Sequence, residues 1–78
     1  TSVAVNPQGT LAASGAADGT FRLWDIATGR QVFRHDGRNT VQDVAFSPNG
    51  ELAASAHRGE AVRLWSLTPP REVLRLRA

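Results

Sequence analysis

A chain of 78 residues without cysteine has no disulfide and no thiolate metal site to hold it, so its fold must rest on burial and backbone pairing. Nine arginines, no lysine and seven acidic residues leave a net charge of +2, which argues against the strongly basic surface of a nucleic-acid binder. There is no run of eighteen apolar residues and no signal-like segment, so no membrane is expected and a cytoplasmic setting is.

Punctuation by Gly, Pro, Asn and Asp divides the chain into short strands. The first is Ser2–Val5, ended by the turn Asn6-Pro7-Gln8-Gly9, in which Pro presets its own φ and Gly is free to take a positive one. Leu11–Gly15 follows, then the hairpin signal Asp18-Gly19. Thr20–Asp25 alternates Phe21 and Leu23 with Arg22, and Thr28-Gly29 turns the chain into Gln31–His35. The same series then begins again: Gln42–Phe46, Leu52–Ala56, Ala61–Ser66 and Glu72–Leu76, separated by Ser47-Pro48-Asn49-Gly50, Arg58-Gly59 and Pro69-Pro70.

The repetition is ungapped. Residues 3–37 align with 44–78 at a constant offset of 41, and fourteen of the 35 pairs are identical, among them Pro7/Pro48, Gly9/Gly50, Ser14/Ser55 and Trp24/Trp65. A period in the low forties built of short strands means blades or solenoid coils. The shared Leu-Ala-Ala-Ser strand is made mostly of small side chains, as a sheet packed closely on both faces near an axis requires. Helix is the alternative for Leu11–Ala17, but the run is about two turns long against a usual ~10–12 residues and ends in Asp-Gly.

The stretch Asp18-Gly19-Thr20-Phe21-Arg22-Leu23-Trp24-Asp25, preceded by Leu11-Ala12-Ala13-Ser14-Gly15 and followed in the next copy by Ala45-Phe46-Ser47-Pro48-Asn49-Gly50, resembles the WD40-repeat family of β-propellers. The resemblance covers about residues 1–37 and 42–78. It implies an all-β chain made of two four-stranded antiparallel meander blades, 1–40 and 41–78, incomplete as a single propeller. In that family a structural network joins a strand-two Ser or Thr, the strand-three Trp, a turn Asp and a His just before the next blade. Carried over by position, Ser14, Trp24 and Asp18 match, His35 is the nearest histidine, and Ser55 and Trp65 are the counterparts in the second copy. An indole N–H and a buried hydroxyl need such partners.

The departures from the family pattern are specific. Asp36-Gly37 stands where the Gly-His pair belongs, two residues past His35. In the second copy Gly59 replaces the turn Asp and Ser66 the Asp after Trp65. The second blade is therefore expected to rely less on polar bonds, at roughly 1 kcal/mol per missing bond.

No catalytic constellation emerges. Ser14, Asp18 and His35 are the residue types of a hydrolase triad, but Ser14 lies within a strand and lacks the G-x-S-x-G elbow. His35, Asp36 and His57 lack metal-ligand spacing, and the Gly15-to-Gly19 loop lacks the Lys and helix of a phosphate loop. Arg71, Arg75 and Arg77 fall on one side of a strand by alternation and read as a charged outer edge that blocks sheet pairing. No enzyme activity, cofactor or metal is expected, and nucleic acid ranks last among partners.

What remains is the rim of the propeller, where the resemblance implies docking of proteins or peptides. The loops are Ala16–Gly19, Asp36–Thr40 and His57–Glu60, and the candidate partner-binding residues are Arg38, Asn39, His57 and Arg58. The expected role is a non-enzymatic protein-interaction scaffold within a larger polypeptide. Two alternatives are a two-blade unit whose copies close a ring, and a regulatory propeller attached to a catalytic domain elsewhere. Propellers close with about four to eight blades. The neighbouring blades come from the same polypeptide or from copies of the chain, and the cut-off look of both ends favours the former.

Overall fold

The computed structural model describes residues 2–59 and 62–76. Eight strands form: β1 Ser2–Val5, β2 Leu11–Gly15, β3 Thr20–Asp25, β4 Gln31–Asp36, β5 Val41–Phe46, β6 Leu52–His57, β7 Val62–Leu67 and β8 Pro70–Leu76. They pair as two antiparallel meanders in the orders β1-β2-β3-β4 and β5-β6-β7-β8. The Leu11–Gly15 run is a strand and not a helix. Four strands run a residue or so beyond their expected bounds, and β8 starts at Pro70, which the sequence had placed in a turn. Proline is tolerated at a strand's first residue because its missing N–H costs no ladder bond there. Glu60, the last residue of one expected rim loop, together with Ala61 and Arg77, lies outside the described residues.

The turns use local side chains to satisfy the backbone. Asn6 Oδ1 accepts the Thr10 and Leu11 N–H groups at 2.8 and 3.0 Å, and Gly9 takes φ +73°. In the second copy Ser47 Oγ does the same for Leu52 N–H at 3.0 Å. Short polar side chains that mimic a backbone turn suit this position.

Each meander carries a β-bulge in its last pairing. Leu23 faces Phe33 but Trp24 faces Gln31, which leaves Val32 unpaired; likewise Leu64 faces Leu74 and Trp65 faces Glu72, passing over Val73. An extra residue in one strand reverses the alternation beyond it. Arg71 therefore sits opposite Ser66 and Arg75 opposite Arg63, on different faces of the sheet, and the expected one-sided arginine edge does not form.

Side chains of the two sheets meet face to face. From the first sheet come Ala13, Phe21 and Leu23, and from the second Val41, Val44, Ala53, Trp65 and Leu67, all buried. Phe21 stacks on Trp65 with ring centroids 5.0 Å apart and planes 13° apart, and Phe33 meets the same indole edge-on at 5.4 Å. Such ring pairs add to area burial about 0.5–1.5 kcal/mol each. Gly15 allows the close approach, since a Cβ there would lie 2.3 Å from Val41 Cγ1. The small side chains of the second strand are thus the condition for the joint.

Candidate functional site

Three polar arrangements lie along the two sheets. In the first, Trp24 Nε1–H donates to Ser14 Oγ at 3.0 Å on the outer face, half-buried. Asp18 stays apart from this pair. It caps its own turn, accepting Thr20 Oγ1–H at 2.8 Å and Thr20 N–H at 3.0 Å. Those bonds, the hydroxyl's first, hold its carboxyl below the ordinary aspartate value. Strand alternation puts Ser14 and His35 on opposite faces of the first sheet, so Ser14, Asp18 and His35 do not converge.

The second arrangement is buried between the sheets. Trp65 Nε1–H donates to Ser55 Oγ at 2.9 Å, and Ser55 Oγ lies 2.8 Å from His57 Nε2. Ser55 is fully buried and His57 is 5% exposed, so this Ser–His pair has no path to a substrate and acts as a structural clasp. Contrary to expectation, the second sheet has the more complete polar network. His57, read from sequence as a loop residue available to a partner, is instead the inward-facing end of β6. Its ring fills the space beside Gly37, whose Cβ would stand 3.6 Å from His57 Nδ1 and Cε1. A histidine from another strand thus stands beside Gly37, the position to which the resemblance assigns the histidine of the Gly-His pair.

His35 takes no part in that bond. It packs on Trp65 at 5.0 Å and meets the His57 ring edge-on at 6.4 Å. Its Nε2 is buried with no hydrogen-bond partner among the described residues. Burial first, then the Arg63 guanidinium, pushes its pKa below the usual 6.5, against the weaker pull of Glu72 and Asp36. Glu72 is itself bound by Arg75 at 3.2 Å and Arg63 at 3.4 Å, and Arg75 above all holds its carboxyl below the ordinary value. A histidine harder to protonate when folded makes the unfolded chain bind the proton first. Stability should therefore be full above about pH 6.5 and fall as pH drops from there through the lowered folded value. Urea midpoints at pH 7.5 and 5.5 should show this fall, and His35→Gln should reduce it; an unchanged slope in the variant would show that His35 is not its source.

The third arrangement is the rim. Gly37 N–H donates to Gly19 O at 2.9 Å, Val41 N–H to Ala16 O at 3.0 Å, and Thr40 Oγ1–H to Ala17 O at 3.0 Å. Arg58 N–H donates to Thr40 O at 2.8 Å, which joins the β6–β7 turn to the same loops. Gly19, at φ +93°, faces Gly37 O so closely that a Cβ would lie 2.4 Å from it. The three loops consequently form one stitched surface. Arg38 and Arg58 are exposed on it and Asn39 is half-buried, while Arg34 is engaged by Asp36 at 2.7 Å.

Comparison with known proteins agrees with this geometry. The family profile described as WD domain, G-beta repeat, matches residues 1–25 and 29–66. The chain belongs to the WD40 repeat family. Its fold superimposes on the crystal structure of the Cps50 (Swd1) β-propeller domain of Myceliophteria thermophila with a TM-score of 0.89 at 30% identity, covering all of this chain and 24% of that one. It is 45% identical over 40 residues to eukaryotic translation initiation factor 3 subunit I of Schizosaccharomyces pombe, covering 51% of this chain and 12% of the relative. To ribosome biogenesis protein erb1 of Neurospora crassa it is 56% identical over 32 residues, 41% of this chain and 4% of that protein. The chain thus spans a small part of each curated relative. The two sheets are two WD40 blades of a β-propeller.

Among the described residues no helix is long and apolar enough to cross a membrane, and no group of three or more His, Asp or Glu is placed to hold a metal ion. The WD40 pattern also explains what sequence reasoning missed. Ala53, Ser55 and His57 share a face by the two-residue period of a strand, and Gly37 vacates the family's histidine position. Together those two signals point to His57.

Proposed function

We propose that this WD40 chain is a non-enzymatic recognition module whose rim docks an acidic protein or peptide segment through Arg38 and Arg58, with Asn39 beside them. The observation that carries this reading is the stitching of the loops 16–19, 36–40 and 57–59, which presents both guanidinium groups from one pre-ordered surface. Preorganisation lowers the ordering cost of binding. Arginine forks onto carboxylates and is favoured at hot spots. The WD40 relatives, named for translation initiation and ribosome biogenesis, are consistent with a role among protein partners.

The test is fluorescence polarisation with a panel of labelled acidic peptides against the native chain and an Arg38→Ala/Arg58→Ala variant. Each charged hydrogen bond contributes about 1.5–3 kcal/mol. The double variant should therefore bind at least about tenfold more weakly. Equal binding by both chains, or no peptide bound at all, would overturn the proposal.

A further inference from the structure

The first turn of each blade has the same shape but not the same chemistry. Gly9 N–H donates to Asn6 O at 3.0 Å with φ +73°, and Gly50 N–H donates to Ser47 O at 2.9 Å with φ +74°. The residue before the glycine is Gln8 in one turn and Asn49 in the other. An asparagine side chain that precedes glycine lies open to attack by the glycine's own backbone nitrogen, since no Cβ crowds the approach. For Asn49 the closure makes a five-membered ring, whereas Gln8 would need a slower six-membered one.

The other two asparagines lack this route. Asn6 precedes Pro7, whose nitrogen has no hydrogen to lose. Asn39 precedes Thr40, whose branched Cβ crowds its nitrogen. Asn49 is in addition exposed at the tip of its turn.

The restraint on Asn49 comes from the other blade. Gln8 Nε2–H donates to Asn49 O at 2.8 Å, and the same amide fills the space where a Cβ on Gly50 would stand. Ser47 O holds the other end of that peptide through the Gly50 N–H. A peptide group turns as a rigid plane, so bringing Gly50 N onto the Asn49 side chain requires both bonds to break. The side chain is held as well: Oδ1 accepts Ser47 Oγ–H at 2.6 Å and Glu51 N–H at 3.0 Å, and Nδ2–H donates to Glu51 Oε1 at 3.3 Å.

We propose that Asn49 is a site of spontaneous deamidation and that Gln8 of the neighbouring blade holds its rate down. When the turn opens, hydroxide takes the Gly50 N–H proton and the nitrogen bonds to Asn49 Cγ. The Cγ–Nδ2 bond breaks, and Nδ2 leaves as ammonia with a proton from water, which restores the hydroxide. Water then opens the succinimide ring. Cleavage between Gly50 N and Cγ leaves aspartate. Cleavage between Gly50 N and the original carbonyl carbon leaves isoaspartate, in which the main chain runs through Cγ and the oxygen that Gln8 held belongs to a free carboxylate. Aspartate sets a second negative charge beside Glu51 in place of the Nδ2–H bond, and isoaspartate unfastens the link between the two turns.

Peptide mapping by mass spectrometry, followed over time in mildly alkaline buffer, tests this on the folded chain. The comparison includes Gln8→Ala, Gln8→Glu, which keeps the shape and loses the donor, and the native chain unfolded in guanidinium chloride. Exchange of –NH2 for –OH should appear at Asn49 before Asn6 or Asn39, divided between two isomers, and Asn49→Gln should remove it. It should run severalfold faster in both Gln8 variants than in the native chain, and fastest in denaturant. Equal rates in the native chain and a folded Gln8 variant would overturn the proposal. So would earlier modification elsewhere, or an Asn49 still intact in the Gln8 variants once the denatured sample is converted. Circular dichroism reports folding, and if one Gln8 variant is unfolded the other decides.

Discussion

Trp65→Ala is expected to cost about 3–5 kcal/mol, the usual range for an aromatic removed from a core. That is a large share of the 5–15 kcal/mol that holds an ordinary domain. Three losses coincide at this residue. Phe21 loses its stacking partner and Phe33 its edge-on contact, both at the centre of the blade joint. His35 loses the surface it packs on, and Ser55 loses the indole N–H that satisfies a fully buried oxygen. Trp24, the same residue in the other repeat, is half-buried and bonded to Ser14 alone among these groups, so Trp24→Ala should cost less by about 2 kcal/mol. Urea unfolding of both variants measures the gap. Equal losses would mean that the joint is not the main source of stability.

Gly19→Ala is the second large effect, at about 2–4 kcal/mol. Two costs add there. The backbone at φ +93° disfavours any residue with a Cβ, and that Cβ would be 2.4 Å from the Gly37 carbonyl oxygen and 2.8 Å from its carbon. Backbone on both sides leaves no flexible side chain to move aside. Gly9→Ala serves as the control, because φ is +73° there and nothing lies within 4 Å. Only the conformational cost applies, about 1–2 kcal/mol. Hydrogen exchange at the Gly37 amide should also quicken in Gly19→Ala, since its bond to Gly19 O is the one displaced. If the two alanine variants were equally stable, the loops would not be in the contact described.

The meander was legible because its signals are local. Asp18-Gly19, the Pro-Gly turns and the offset of 41 residues mark strand ends whatever the strands pack against. The bulges at Val32 and Val73 left no such mark, since an extra valine in an apolar strand does not alter its hydrophobic pattern. Arg71 and Arg75 were accordingly assigned to one face when they occupy two. His57 was misplaced for a related reason. The Arg58-Gly59 turn drew it into the loop, although its two-residue spacing from Ser55 already placed it on the inward face. The aromatic cluster depended on contact between the two sheets, which no local pattern encodes. The rim loops were named from sequence, but their hydrogen bonds to one another arise only once β2, β4 and β6 end on the same side.

The ring of His57 beside Gly37 decides which substitutions this corner of the blade can take. A histidine at position 37 and one at position 57 would compete for the same few ångströms, while loss of His57 alone would leave Ser55 with one fewer neighbour to bond. The glycine and the histidine therefore act as a single packing unit, and a substitution at either one is felt at the other.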